Sequence, residues 1–185
     1  EVFAAAFNYL GLDINKQNLD DLKLAEAHLA KVRPHIRYFD NDRNIADLAN
    51  GDTCLAMSWN GNVALAASQA QAAGKPYSVT YQIPREGTLL WFDAVVIPRD
   101  APHPEAALAL LDHLSTPEVI AGVTNTVYYA NAVPAANPLV DPAILNDPGT
   151  YPPASVQQKL YVKNDNSRVF DRALTRAFSR LKSGT

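Results

Sequence analysis

Cysteine is nearly missing from this sequence: Cys54 is the only one in 185 residues. One thiol excludes an internal disulfide and any thiolate-based zinc cluster. Its apolar setting, Thr53-Cys54-Leu55-Ala56-Met57, reads as a buried structural thiol and not as a nucleophile. A basic excess is also missing. The 16 Lys and Arg are outnumbered by 19 Asp and Glu, the net charge is −3, and the basic residues look scattered along the chain. With no basic face to neutralise phosphates, nucleic acid is not an expected partner. No apolar stretch approaches the roughly 20 residues of a spanning helix. The sequence has no nucleophile elbow, no Walker loop and no dinucleotide fingerprint, and Leu48-Ala49-Asn50-Gly51-Asp52 is a turn, not a phosphate cradle. Of four histidines (His28, His35, His103, His113), none pairs with another at ligand spacing, so they read as ordinary surface or partly buried residues. Catalysis therefore lacks a nucleus. The expectation is a protein that is not an enzyme and that needs neither metal nor cofactor.

What is present is ordinary globular composition, 48% hydrophobic and 19% charged. The length suits one core, or one lobe plus part of another. Phe3, Phe7 and Leu10 fall at helical spacing ahead of Gly11, and Asn18 can cap a helix running to about Val32, where Pro34 stops it. A short helix is expected over 42–48, an Ala-rich helix from Val63 to Ala73 after a turn at Trp59-Asn60-Gly61, and a helix from Glu105 to Leu114. Ser115-Thr116-Pro117-Glu118 opens a further helix, and the last one runs from Ser167 to Lys182. Between these, Arg37 to Phe39, Cys54 to Met57, Tyr77 to Ile83 and Thr88 to Ile97 read as strands. Alternating helix and strand argue for an α/β lobe around a central sheet. Six prolines from Pro134 to Pro153 mark a connector with at most one short helix, about Pro142 to Asn146. The chain opens directly in a helical pattern, with no initiator Met or signal peptide, and we expect upstream sequence to have been removed.

Aromatic and polar residues cluster at the ends of the expected strands, where open α/β sheets bind ligands. Trp59 and Asn62 follow one, Trp91, Phe92 and Asp93 lie on another, and Tyr128 and Tyr129 end a helix. A carboxylate beside aromatic faces suits an alkylammonium: the acid accepts charged N–H donors while the rings hold the charge and the methylenes. The alternative is that the aromatics are simply core. Asp93 weighs against that alternative, because a charge inside the apolar run from Leu89 to Ile97 needs a partner or a ligand.

Five motifs then fall in register. Asp52 to Asn62, Ile83-Pro84-Arg85-Glu86-Gly87, Trp91-Phe92-Asp93, Val127 to Ala132 and Tyr151-Pro152-Pro153 together resemble the putrescine- and spermidine-binding proteins of bacterial ABC importers. The resemblance implies a type II periplasmic-binding-protein-like α/β fold with the polyamine held between two lobes, of which this chain is the second lobe plus part of the first. It assigns 1–90 and 138–185 to the second lobe and 91–137 to the crossing segment and part of the first, most of which is absent. By the same resemblance Glu1 is the family carboxylate, Trp59 and Trp91 the aromatic walls, Asp93 the main ammonium acceptor and Tyr129 a further contact, with Ser179 a polar residue near the site. Asn62 departs from the pattern, since putrescine-type members carry an aspartate there. A neutral Asn, with Trp at 91, inclines the reading towards spermidine. The implied partners are a polyamine, an ABC permease in the inner membrane, the missing first lobe and, through the orphaned cleft face, a second copy of this segment; the implied location is the periplasm. A polyamine-sensing or receptor domain on the same fold is the alternative, and a hydrolase or transferase would need catalytic residues from the absent lobe.

Overall fold

A computed structural model of the chain describes residues 1–184. Its contacts divide it into two compact units, one of Glu1–Asp40, Ile83–Trp91 and Ala154–Thr185, the other of Asn41–Gln82 and Phe92–Pro153.

The first unit is built on three amphipathic helices. Helix α1 (Val2–Tyr9) buries Phe3, Ala4, Ala6 and Phe7; α2 (Leu19–Val32) buries Leu22, Ala25 and Leu29. The final helix, named α9 below (Arg168–Ser183), buries Phe170, Ala177 and Leu181. These residues form one apolar cluster. At its centre the Phe7 and Phe170 rings meet edge to face, with centroids 6.4 Å apart. The ends are capped as the sequence indicates: the Asn18 side chain accepts from the backbone N–H groups of Asp20 and Asp21, and the Ser167 hydroxyl accepts from that of Phe170. Gly184 closes α9 in the left-handed region at φ 77°. The segment 83–91 lies along residues 159–161, where Leu89 and Tyr161 form an isolated parallel bridge. Gly87, at φ 94°, comes so near the Lys159 carbonyl that no Cβ could be accommodated there. The short helix α8 (Ala154–Gln157) precedes this contact.

The second unit has two small cores. Helices α3 (Arg43–Asn50) and α4 (Asn60–Ala72) bury Leu48, Ala49, Val63 and Ala66, against which Ile45, Ala56, Val79 and Tyr81 pack. Helix α6 (Pro117–Val127) packs on the proline-rich connector, which forms a 3-10 turn over Pro134–Leu139 and the short helix α7 (Pro142–Leu145). Ala121, Ala136, Val140 and Ile144 form the second core. Helix α5 (Pro104–Leu114) buries no residue.

Three expectations change. The four segments read as strands form no ladder among the described residues, beyond the Leu89–Tyr161 bridge. A strand exists only when a neighbour accepts its N–H and C=O groups, and such pairing is non-local, so alternation alone cannot supply it. Several of their apolar side chains are correspondingly bare, Leu55 at 86% exposed and Val96 at 76%, while Phe39, Ala56, Val79 and Tyr81 pack on the cores. For the same reason Cys54 is exposed and not buried. The turn expected at Trp59-Asn60-Gly61 instead opens α4, because the Trp59 carbonyl accepts from Val63 N–H at 3.1 Å. Asn and Gly, poor in helix interiors, are tolerated in a first turn whose N–H groups have no intrahelical partner.

Candidate functional site

Helix α4 and the chain after α6 build the site in the second unit. Trp59 is the N-cap of α4, and Asn62 lies in its first turn. At the end of α6, Tyr128 adopts the left-handed conformation, φ 63° and ψ 22°, which is uncommon outside glycine and turns the chain sharply. The turn lays the Tyr129 ring on the first turn of α4. A Cβ on Gly61 would stand 2.5 Å from Tyr129 Cζ and 2.7 Å from the Val127 carbonyl oxygen, so only glycine permits this approach. The Tyr129 hydroxyl then lies 3.5 Å from Asn62 Oδ1, a long contact with that oxygen as acceptor.

The surroundings hold this arrangement. Ser58 donates to Asn44 Oδ1 at 3.2 Å, and Asn44, itself buried, donates to the Asn41 carbonyl at 2.8 Å, so the residue before Trp59 is tied to α3. On the other side Asn60 donates to Thr150 Oγ1 at 3.4 Å, and Thr150 donates to Asp147 Oδ2 at 2.9 Å. An Asp147 carboxylate linked in this way to the start of α4 also suits the helix dipole.

Asp93 is exposed and has no hydrogen bond or ion pair with any described residue. Its charge is nonetheless felt by Tyr129. Burial holds the Tyr129 phenol above its ordinary range; the Asn62 backbone opposes that shift, and the Asp93 carboxylate adds to it. Tyr81 behaves similarly, raised first by burial and then by Tyr129. The second unit thus puts Asn62 in contact with Tyr129, whose phenol feels Asp93 and raises Tyr81, while Trp59 starts the helix that carries Asn62. Two neutral phenols, a carboxamide and an uncompensated carboxylate can accept from a cation's N–H groups, and they disfavour an anion. Tyr81 was not among the residues singled out from sequence. The signal available was weak: an aromatic at the end of the alternating run Tyr77 to Ile83, indistinguishable there from core.

The remaining candidates belong to the first unit. Glu1 is the exposed N-cap residue of α1, and Trp91, 55% exposed, ends the segment that bridges to Tyr161. Ser179 lies on the exposed face of α9 and donates back to the Thr175 carbonyl at 2.9 Å. Among the described residues no group of three His, Cys, Asp or Glu could hold a metal.

A model of the family described as bacterial extracellular solute-binding protein matches residues 2–152. The chain is 42% identical over 184 residues to the putrescine-binding periplasmic protein of Pseudomonas aeruginosa, covering 100% of this chain and 50% of that protein. It is 43% identical over 185 residues to the putrescine-binding periplasmic protein of Escherichia coli, again covering 100% of this chain and 50% of that protein. The solved spermidine/putrescine ABC transporter substrate-binding protein of Streptococcus pneumoniae superimposes with a TM-score of 0.81 at 22% identity, over 100% of this chain and 55% of that one. At that identity the likeness concerns the fold alone: this chain has a solute-binding-protein fold, as far as about half of one. The chain spans about half the length of the curated relatives it matches.

Proposed function

The chain belongs to the bacterial extracellular solute-binding proteins, and we propose that it carries the second lobe and part of the first of a periplasmic polyamine-binding component of an ABC importer, acting by capture and not by turnover. The observation that carries this reading is the Asp93 carboxylate, without a partner among the described residues and electrostatically coupled to a phenol that contacts Asn62. Relatives at 42% and 43% identity bear putrescine in their names, which supports a polyamine as the ligand class.

In this reading an ammonium group donates to Asp93, the Tyr129 hydroxyl and the Asn62 carbonyl accept further N–H groups, and Trp59 and Trp91 cover the methylenes. Glu1 is the second carboxylate. Residues 1–90 and 138–185 then form the second lobe, and 91–137 the crossing segment and part of the first. Closure buries the cation and presents a closed surface to a permease in the inner membrane. A micromolar dissociation constant needs about −8 kcal/mol, against about 1.5–3 for a charge-assisted hydrogen bond and about 2 for a desolvated cation–π contact. Few such contacts fit in one half, so full affinity needs the remainder of the two-lobed fold. The bare apolar residues of the second unit, Leu55 and Val96 among them, make self-association of this segment the expected behaviour without that remainder.

The finer reading is a preference for spermidine over putrescine. Its support is Asn62, which accepts a hydrogen bond but brings no second negative charge for the compact diammonium of putrescine. The test is calorimetry on the two-lobed protein. Asp93→Asn is expected to weaken polyamine binding by about tenfold or more, and an unchanged affinity would refute the assignment. Asn62→Asp is expected to raise the affinity for putrescine more than that for spermidine; no change in their ratio refutes the preference alone.

A further inference from the structure

Four of the nine arginines, which look scattered along the chain, are aligned on α9. Arg168, Arg172, Arg176 and Arg180 recur at every fourth residue, which stacks them along one face of the helix about 6 Å apart. This face lies opposite the one that buries Phe170, Ala177 and Leu181. Between the arginines it presents the hydroxyls of Thr175, Ser179 and Ser183 and the exposed side chain of Val169. The first three are exposed and make no ion pair with any described residue.

Within the helix the dipole rewards only the C-terminal member of the row, Arg180 in the last turn. Like charges four residues apart repel one another, and Arg168 is the first residue of α9, at the positive end of its dipole. A solvated face would do better with mixed charge. The fourth member of the row shows what satisfies such a geometry: Arg180 donates from Nε and Nη2 to both oxygens of Glu26, at 2.7 and 2.8 Å, from the neighbouring helix α2.

We propose that Arg168, Arg172 and Arg176 form a docking row for a protein partner that presents carboxylates at matching intervals along a helix, each arginine taking one as Arg180 takes Glu26. The row is a single file, about 12 Å from Arg168 to Arg176, and the chain as a whole is net negative at −3. The single file favours an acidic protein edge over an anionic membrane, which rewards broad basic patches, whereas the net charge disfavours both alike. Fork-shaped guanidinium groups also suit paired carboxylate oxygens better than lysines do. This inference does not depend on the identity of the small ligand.

The test uses the full chain and a synthetic helical peptide with Glu at every fourth position, beside an isomer of equal charge with its Glu residues bunched. Binding is read by fluorescence anisotropy at low salt. The in-register peptide should bind at least fivefold more tightly than the bunched isomer, and salt should weaken it. R168Q/R172Q/R176Q should lose about tenfold or more, while R168K/R172K/R176K retains at least threefold more affinity than the Gln variant. The Gln variant should melt no lower than the parent, since it removes repulsion. Equal binding of the two peptides, no binding of either, or tighter binding to phosphatidylglycerol vesicles than to the peptide overturns the proposal. So does a Gln variant that binds as the parent does, or one whose melting temperature falls, which would assign the arginines to the helix itself.

Discussion

Gly61→Ala tests the geometry on which the site rests, because one methyl must be placed where a ring and a carbonyl already stand. The new Cβ would meet Tyr129 Cζ at 2.5 Å and the Val127 oxygen at 2.7 Å. The ring can shift; the carbonyl belongs to the last turn of α6 and cannot move without it. Overpacking of this kind costs about 1–3 kcal/mol, set against a gain of up to about 1 kcal/mol for Ala over Gly in a helix. The net effect is a loss between roughly zero and 3 kcal/mol, a fall in melting temperature of up to about 12 °C at this chain length. Gly122 supplies the control. It lies within α6, exposed, and a Cβ there meets nothing within 4 Å. Gly122→Ala should therefore stabilise by up to about 1 kcal/mol. Melting curves for the two variants should move in opposite directions or differ by at least 1 kcal/mol, roughly, and combining Gly61→Ala with Tyr129→Ala should recover part of the deficit. If Gly61→Ala stabilises as Gly122→Ala does, the Tyr129 ring does not rest on α4, and the contact between its hydroxyl and Asn62 is lost from the argument.

Alkaline pH should expose the raised phenols. The unfolded chain ionises tyrosine near about pH 10, whereas the folded chain holds Tyr81 and Tyr129 protonated to higher pH. The unfolded state then binds fewer protons, so stability is complete below pH 10, approximately, and falls as pH rises through the folded values. Urea midpoints between pH 9 and pH 11 should decline less for Tyr81→Phe/Tyr129→Phe than for the parent; equal declines refute the shifts. Phe7→Ala removes a side chain that is 0% exposed and packed edge to face on Phe170. It should cost about 3–5 kcal/mol by denaturant titration, and a cost below about 1 would show that this cluster is not the core of its unit. Cys54 is exposed. One equivalent of thiol should react with a maleimide in the absence of denaturant, at a rate that denaturant raises only slightly.

The helices were legible because their signals are local. Asn18, Ser167 and Pro117 stand where α2, α9 and α6 begin. Each signal concerns a backbone group a few residues away, so the sequence carries both partners of the contact. The strands were not legible in the same sense. Tyr77 to Ile83 alternates as a strand should, but the alternation describes only the faces of a strand and not its edges, and the edges find no neighbour among the described residues. Cys54 was misjudged for that reason: an apolar run predicts burial only if something covers it. The arginines of α9 escaped notice through the opposite error, since counting basic residues along the chain ignores the rotation of about 100° per residue that aligns every fourth one.

The site illustrates how far local rules reach into function. Asn62, Tyr129 and Asp93 are far apart in sequence, yet two conformational choices bring the first two into contact: a glycine that leaves room on α4 and a tyrosine held left-handed at the end of α6. Both choices go against intrinsic preference. Gly weakens a helix, and a bulky residue at positive φ is strained. In the proposed reading, these choices place a phenol over a helix start, within the field of an open carboxylate, as a cation site requires. The strain at Tyr128 and the absence of a side chain at Gly61 therefore belong to one device. Alanine at 61 should displace the Tyr129 ring, whereas glycine at 128, which takes the left-handed conformation without strain, should keep the turn that places it.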